Sequence, residues 1–181
     1  MTDPPFDLAA RLGALLFVSG EPVERAELID HLGCNETELD AALATLRERG
    51  LGLGLVLIEH SGAYQLATAP SLAELVEAFL GLDRPARLSA AALETLAIVA
   101  YRQPVTRAEI EAIRGVDSSA ALQTLIARGL VEPVGRLPTV GQPIQYGTTV
   151  QFLQAFGLAS LEELPELPPE ISERLLDADA R

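Results

Sequence analysis

Two histidines, one cysteine, short runs of carboxylates and a few Tyr and Arg residues are the side chains of this 181-residue sequence whose types first suggest chemistry. His31 and His60 sit near no serine or carboxylate in a recognisable catalytic spacing, which points to capping or surface roles. Cys34 is the sole cysteine, so an intramolecular disulfide is impossible and a zinc site would need this thiol plus both histidines without motif spacing. It reads as a small, semi-buried residue at a helix boundary. The acid-rich stretches Glu36 to Asp40 and Glu162 to Glu166 lack the alternating ligands and central Gly of a calcium loop, and read as helix-dipole partners and solvated surface. Gly52 and Gly54 are followed by neither Lys-Ser/Thr nor a helix, so a phosphate loop is not expected. No catalytic, cofactor or metal site emerges, and the chain is expected not to be an enzyme.

Charge narrows the partner class. The sequence holds 26 acidic residues against 13 basic ones, every one of them Arg, for a formal net charge of -13. Such a chain repels phosphate backbones at long range. No apolar stretch approaches the roughly 20 residues of a membrane span. The acidic, Pro-containing start MTDPPFDLAA is unlike a secretory signal, and a cytoplasmic protein is expected.

The elements that must position these residues are mostly helices. Hydrophobic residues make up 49% of the chain, but with only 5 Phe, 3 Tyr and no Trp they are dominated by Leu and Ala, which favours helix packing. Leu8, Leu12, Leu15 and Leu16 recur at helical spacing and stop at Ser19-Gly20. Glu21-Pro22 opens a second helix with Leu28, Ile29 and Leu32 on its apolar face. Asn35 or Thr37 caps a third, with Leu39, Leu43 and Leu46 inward and Gly50 closing it. Alternating Leu53, Leu55, Leu57 and Tyr64, Leu66 flank the turn His60-Ser61-Gly62, a hairpin. A further helix spans Leu72 to Leu80, and a short Pro-containing linker follows.

The second half repeats this order. Ser89 caps a helix ending near Tyr101; Gln103-Pro-Val-Thr106 leads into Arg107 to Arg114; Asp117 or Ser118 caps a helix through Arg128. Leu130 to Gly135 and Ile144 to Thr148 are strands, and a last helix lies near Val150 to Phe156. Identities hold a constant offset across elements, as a duplication requires. Glu21 to Leu28 lies over Gln103 to Ile110, with Pro22 and Pro104 82 residues apart and five of eight positions identical. Ala42 to Leu51 lies over Ala121 to Leu130 at an offset of 79, with seven of ten identical. The change of offset places a three-residue deletion between the second and third helices of the module.

Three helices followed by a hairpin is the winged-helix order, whose default partner is DNA. The expected fold is mainly α with small β-hairpins, α+β overall, as two tandem winged-helix domains. The charges argue against DNA: the third helix of the first copy carries four acids and two Arg, and that of the second one Asp and one Arg. These modules are expected to grip protein, with a winged-helix transcription regulator as the alternative.

Arg87 to Ser118, RLSAAALETLAIVAYRQPVTRAEIEAIRGVDS, resembles the signature region of the segregation and condensation protein B family, bacterial accessory subunits that join a kleisin and an SMC ATPase. Gly129 to Arg136, Gly141 to Thr149, Phe152 to Gly157 and Ser160 to Leu164 continue the likeness in order, and Ala14 to Val23 is its clearest part in the first half. The resemblance implies a non-enzymatic homodimer without cofactor, formed mainly through the N-terminal domains. It implies binding of the central to C-terminal part of the kleisin (segregation and condensation protein A) through the C-terminal domains, with a role in chromosome condensation and partition. Through that complex the chain would associate with the nucleoid.

Within that frame the expected domains are 6–81 for dimerisation, 82–88 as linker, 89–164 for kleisin binding, and 165–181 as an acidic, Pro-rich, unstructured tail. Tyr101, Arg102, Arg107, Arg136 and Tyr146 are the candidate kleisin-binding residues, because Tyr and Arg are enriched at interface hot spots. The alternative is ordinary helix surface for Arg107 and packing for Tyr101. Leu16, Phe17, Val18, Val56 and Ile58 are the candidate dimer contact, against a plain core role.

Overall fold

The first three helices each start on a side chain or a strand and stop on a glycine. Asp7 accepts the Ala10 N–H at 2.9 Å and opens α1 (Leu8–Ser19), which ends at Gly20 in the left-handed region. Helix α2 (Arg25–Leu32) ends likewise on Gly33. Helix α3 (Glu36–Leu51) begins with a reciprocal capping box between Asn35 and Glu38. The computed structural model describes residues 6–81 and 87–176.

Between α1 and α2 the structure departs from expectation. Helix α2 does not open at Glu21-Pro22; Val23–Glu24 is a strand, β1, and the helix begins at Arg25. The backbone of Glu24 is extended because Val23 and Glu24 pair with Tyr64 and Ala63. Strands β2 (Leu55–His60) and β3 (Ala63–Thr68) form the hairpin, turning through Ser61 and Gly62, both at positive φ. That two-residue turn matches the right-handed twist of the flanking strands. The sheet order is β1-β3-β2. A 3₁₀ turn, Pro70–Leu72, precedes α4 (Ala73–Leu80).

The second half has the same plan: α5 (Ala90–Arg102), β4 (Val105–Thr106), α6 (Arg107–Arg114), α7 (Ser119–Ala127), β5 (Val131–Arg136) and β6 (Ile144–Thr148), with sheet order β4-β6-β5. The short strand recurs in register: Val105 faces Tyr146 as Val23 faces Tyr64, each residue 82 positions further on. Two identical three-stranded orders around three helices make each half a winged helix, and the α+β expectation stands.

The described residues fall into two compact units, 6–81 with 154–162 and 87–153 with 163–176. In the first, Leu12, Leu16, Leu28, Leu39, Leu43, Leu57 and Tyr64 pack together. In the second, Leu96, Val99, Ile110, Leu125, Val131 and Leu153 are fully buried. Each such Leu or Val contributes about 1.5–3 kcal/mol by leaving water. Helix α8 (Val150–Phe156) brings Phe152 and Leu153 to the second core.

This partition differs from the expected boundaries. Residues 154–162 group with the first unit, where Ala159 O accepts the Glu59 N–H at 2.8 Å, whereas the second domain was expected to run unbroken to 164. The tail also differs: α9 (Pro169–Leu176) is helical and Leu175 is buried. Leu167, Ile171 and Leu175, at helical spacing, line one groove together, so the apolar residues outweigh the Pro and acid content. Of the expected linker, residues 82–86 lie outside the described residues, as do 177–181 of the tail.

Candidate protein-binding site

The same Arg–Tyr pair occurs once in each winged helix, with opposite surroundings. Both Arg residues occupy the first position of the second helix, directly after the short strand, and both Tyr residues lie on the third strand opposite that strand's Val.

In the first unit the pair is closed on itself. Arg25 donates to Glu36 at 2.5 Å, to Asp40 at 2.6 Å and to the Tyr64 hydroxyl at 3.1 Å. Tyr64 in turn donates to Glu59, its cross-strand neighbour, at 3.2 Å. Hydrogen bonds to Asp40, Glu36 and Tyr64 hold the Arg25 guanidinium even further above the range in which it would lose its proton. Burial pushes the Tyr64 hydroxyl up as well, against the opposing pull of Arg25.

In the second unit the acids are gone. The offset of 79 that aligns the third helices places Ser119 at the position of Asp40, and Arg107 donates to its hydroxyl at 3.2 Å. Glu36 falls in the stretch where the second copy is three residues shorter. Opposite Tyr146 stands Pro133 rather than a glutamate. Two carboxylates lie near Arg107: Asp117, and Glu111, which is 3.5 Å from Nε and also accepts the Ser118 N–H. Asp117 is held by the Ser119 hydroxyl and N–H, which lower its carboxyl below the usual range. The Arg107 side chain is 58% exposed. Its Nη2 and the Tyr146 hydroxyl have no partner among the described residues.

Arg107, Ala108, Glu111, Pro143, Ile144 and Tyr146 line an open cleft of about 330 Å³. Its floor is fixed by the β4–β6 pairing, and the start of α6 by a capping box: Thr106 N–H donates to Glu109 at 2.6 Å, and Glu109 N–H to the Thr106 hydroxyl at 3.3 Å. Gln103 ties the same strand to α5, accepting Thr148 N–H at 2.7 Å and donating to Ala100 O at 3.2 Å. The result is a half-apolar cleft with one cation at its edge, suited to a protein segment.

The five candidates expected to form one patch are therefore divided. Arg107 and Tyr146 share the cleft. Tyr101 instead donates to Pro165 O at 2.6 Å, and Arg102 to Leu175 O, so both are engaged by the tail. Tyr101 lines a second groove, of about 310 Å³, with Ala97, Ile98, Ile113 and the tail residues Leu167 and Ile171. Arg136 lies at the end of β5 and donates to Gln142 O at 3.0 Å.

The candidate dimer residues divide too. Leu16 and Ile58 are each 1% exposed, interior to the unit and no part of its surface. Helical periodicity turns Phe17 and Val18 away from Leu16, leaving them 81% and 78% exposed, and Val56 is half-buried. Sequence reading placed helix α4 but not its Leu75, Phe79 and Leu80 among the candidate contacts, and all three are exposed. The signal was present, since the apolar residues of this eight-residue helix cover every side but that of Glu74 and Glu77, more than one buried face needs.

The remaining chemistry-bearing residues have ordinary settings. His31 stands 3.7 Å from Glu27 on α2, and Cys34 packs against the first core. Among the described residues no group of three His, Cys, Asp or Glu side chains is placed to hold a metal ion, and no helix is long and apolar enough to cross a membrane.

Comparison with known proteins adds the following. The family model described as segregation and condensation complex subunit ScpB matches residues 10–167. The chain is 50% identical to "Segregation and condensation protein B" of Moorella thermoacetica over 167 residues, covering 89% of this chain and 83% of the relative. It is 45% identical to the protein of the same name from Halalkalibacterium halodurans, covering 96% and 90% of the two chains. A crystal structure of ScpB from Mycobacterium tuberculosis is 36% identical, covering 86% of this chain and 99% of that one, with a TM-score of 0.41.

Proposed function

We propose, on the premise that this chain belongs to the segregation and condensation complex subunit ScpB family, that it is a non-enzymatic accessory subunit of an SMC–kleisin complex. In this reading it is a cytoplasmic homodimer that binds the kleisin in chromosome condensation and partition. The first unit provides the dimer contact and the second the kleisin contact.

The observation that carries the preference for protein over DNA is the composition of the third helices. Helix α7 contains no charged residue, and α3 has four acids, two of them spent on Arg25. A winged helix that reads DNA presents cations there to neutralise several phosphates. Self-association is supported by the exposed Phe17 and Val18 on α1 and the exposed apolar residues of α4, since side chains of this kind gain most by pairing with a second apolar surface.

Co-purification of the full chain with the kleisin encoded by the same genome tests the partner, and sedimentation equilibrium tests the dimer. Stable capture of the kleisin, with a dimer that Phe17→Glu or Phe79→Glu dissociates, is the expected result. Tight, strongly salt-dependent binding to duplex DNA without kleisin capture would favour the transcription-regulator reading instead.

A further inference from the structure

We infer that the Arg107–Tyr146 cleft of the second unit receives a carboxylate side chain, Asp or Glu, of the partner protein, in the place that the chain's own acids fill in the first unit. The inference rests on the kleisin-binding reading and specifies the chemistry of that contact.

The first unit is the internal template. There Arg25 and Tyr64 hold the same framework positions and are saturated by carboxylates from the third helix and the neighbouring strand: Glu36 at 2.5 Å, Asp40 at 2.6 Å and, on Tyr64, Glu59 at 3.2 Å. The second unit keeps the Arg and the Tyr in the same strand register but has Ser119 for Asp40, Pro133 for Glu59 and a shortened turn where Glu36 stood. An arginine with half its side chain in water and one guanidinium nitrogen unbonded is held beside the apolar faces of Pro143 and Ile144. That combination of a fork-shaped donor, a phenol hydroxyl and an apolar wall matches a carboxylate borne on a peptide.

Other charges facing Arg107 do not fill the site. Glu111 meets it through one 3.5 Å contact and shares its oxygen with Ser118 N–H. Asp117 is turned to Ser119. A phosphate would satisfy the same fork, but the chain has a net charge of -13, α7 is uncharged and the cleft lining holds no cation besides Arg107, whereas a polyphosphate backbone needs several.

The test is the affinity of the full-length chain for the purified kleisin, by isothermal titration calorimetry at physiological salt, for wild type, Arg107→Ala, Ser119→Asp, Ser119→Ala and, in the first unit, Asp40→Ser. Ser119→Asp rebuilds the internal acid of the first copy and closes Arg107 on itself. It and Arg107→Ala are expected to weaken binding about tenfold or more, whereas Ser119→Ala and Asp40→Ser change it less than about twofold. Thermal melting of each variant confirms that it folds. Kleisin binding unchanged in Arg107→Ala and Ser119→Asp overturns the carboxylate site and leaves the kleisin reading standing. Absence of wild-type binding overturns that reading itself. Loss in Arg107→Ala of duplex DNA binding, with kleisin binding intact, overturns the carboxylate in favour of phosphate.

Discussion

Arg25, the first residue of α2, and Asp40, the fifth of α3, stand 2.6 Å apart, and the same guanidinium reaches Tyr64 on β3 at 3.1 Å. One side chain thus ties two helices to the sheet. Replacing Arg25 by Ala removes all of these bonds and is expected to cost about 1–2 kcal/mol in urea unfolding. Asp40 is exposed, so Asp40→Ser should cost less than about 1 kcal/mol. Equal effects of the two would show that Arg25 contributes through Asp40 alone.

Tyr64 supplies an alkaline signature. Burial raises its hydroxyl above the ordinary value near 10. The folded state therefore prefers the neutral phenol; this stability is complete below about pH 10 and is lost as pH rises through the higher folded-state value. Between about pH 9 and 12, thermal melting should fall more steeply for wild type than for Tyr64→Phe.

Asp7 gives the acid counterpart. Arg49 donates to both of its oxygens, at 3.0 and 2.7 Å, and with the Ala10 N–H lowers its carboxyl below the usual range. Its stabilising contribution is present above the unfolded value of about 3.9 and is lost as pH falls through the folded one. Asp7→Asn keeps the helix cap and removes the charge. Its melting temperature should change less than that of wild type between pH 5 and pH 2.5.

Gly147 marks a close approach in the second unit. A Cβ there would stand 2.9 Å from Gln103 Oε1 and 2.9 Å from Val134 Cγ1. Gly147→Ala should destabilise by about 1–3 kcal/mol. Because Gln103 is one of the two obstructions, Gly147→Ala with Gln103→Ala should cost less than the sum of the single changes.

The tail makes a separable prediction. Ending the chain at residue 164 removes the Tyr101–Pro165 hydrogen bond and the apolar side chains of Leu167, Ile171 and Leu175 from the α5–α6 groove. The melting of the second unit should fall, while kleisin affinity, which we propose the Arg107 cleft carries, should not. A large loss of affinity would place the partner contact on the tail groove instead.

Much of this molecule was readable before any coordinates. The Pro-Val and Arg-Gly-Leu identities at offsets of 82 and 79 exposed the duplication, and the caps at Asn35 and Ser89 fall where side-chain chemistry puts them. Two-residue strands leave no periodicity, so β1 and β4 stayed hidden until their pairing with Tyr64 and Tyr146 was seen. Helix α9 was masked by composition, because Pro and acids dominate the count while three spaced apolar residues decide the packing.

The sequence by itself determined two winged helices, the lack of a catalytic motif, an acidic balance hostile to DNA, and the presence of Arg and Tyr at matched positions in both copies. Local propensity, periodicity and composition carry that much. Only the tertiary structure decided that Arg25 is satisfied and Arg107 open, and that Tyr101 faces the tail rather than a shared patch. Those outcomes depend on groups 11 to 64 residues apart along the chain, such as Arg25 with Glu36 and Tyr101 with Pro165. A side chain's spare bonding capacity is a property of its neighbours in space, which spacing along the chain does not contain.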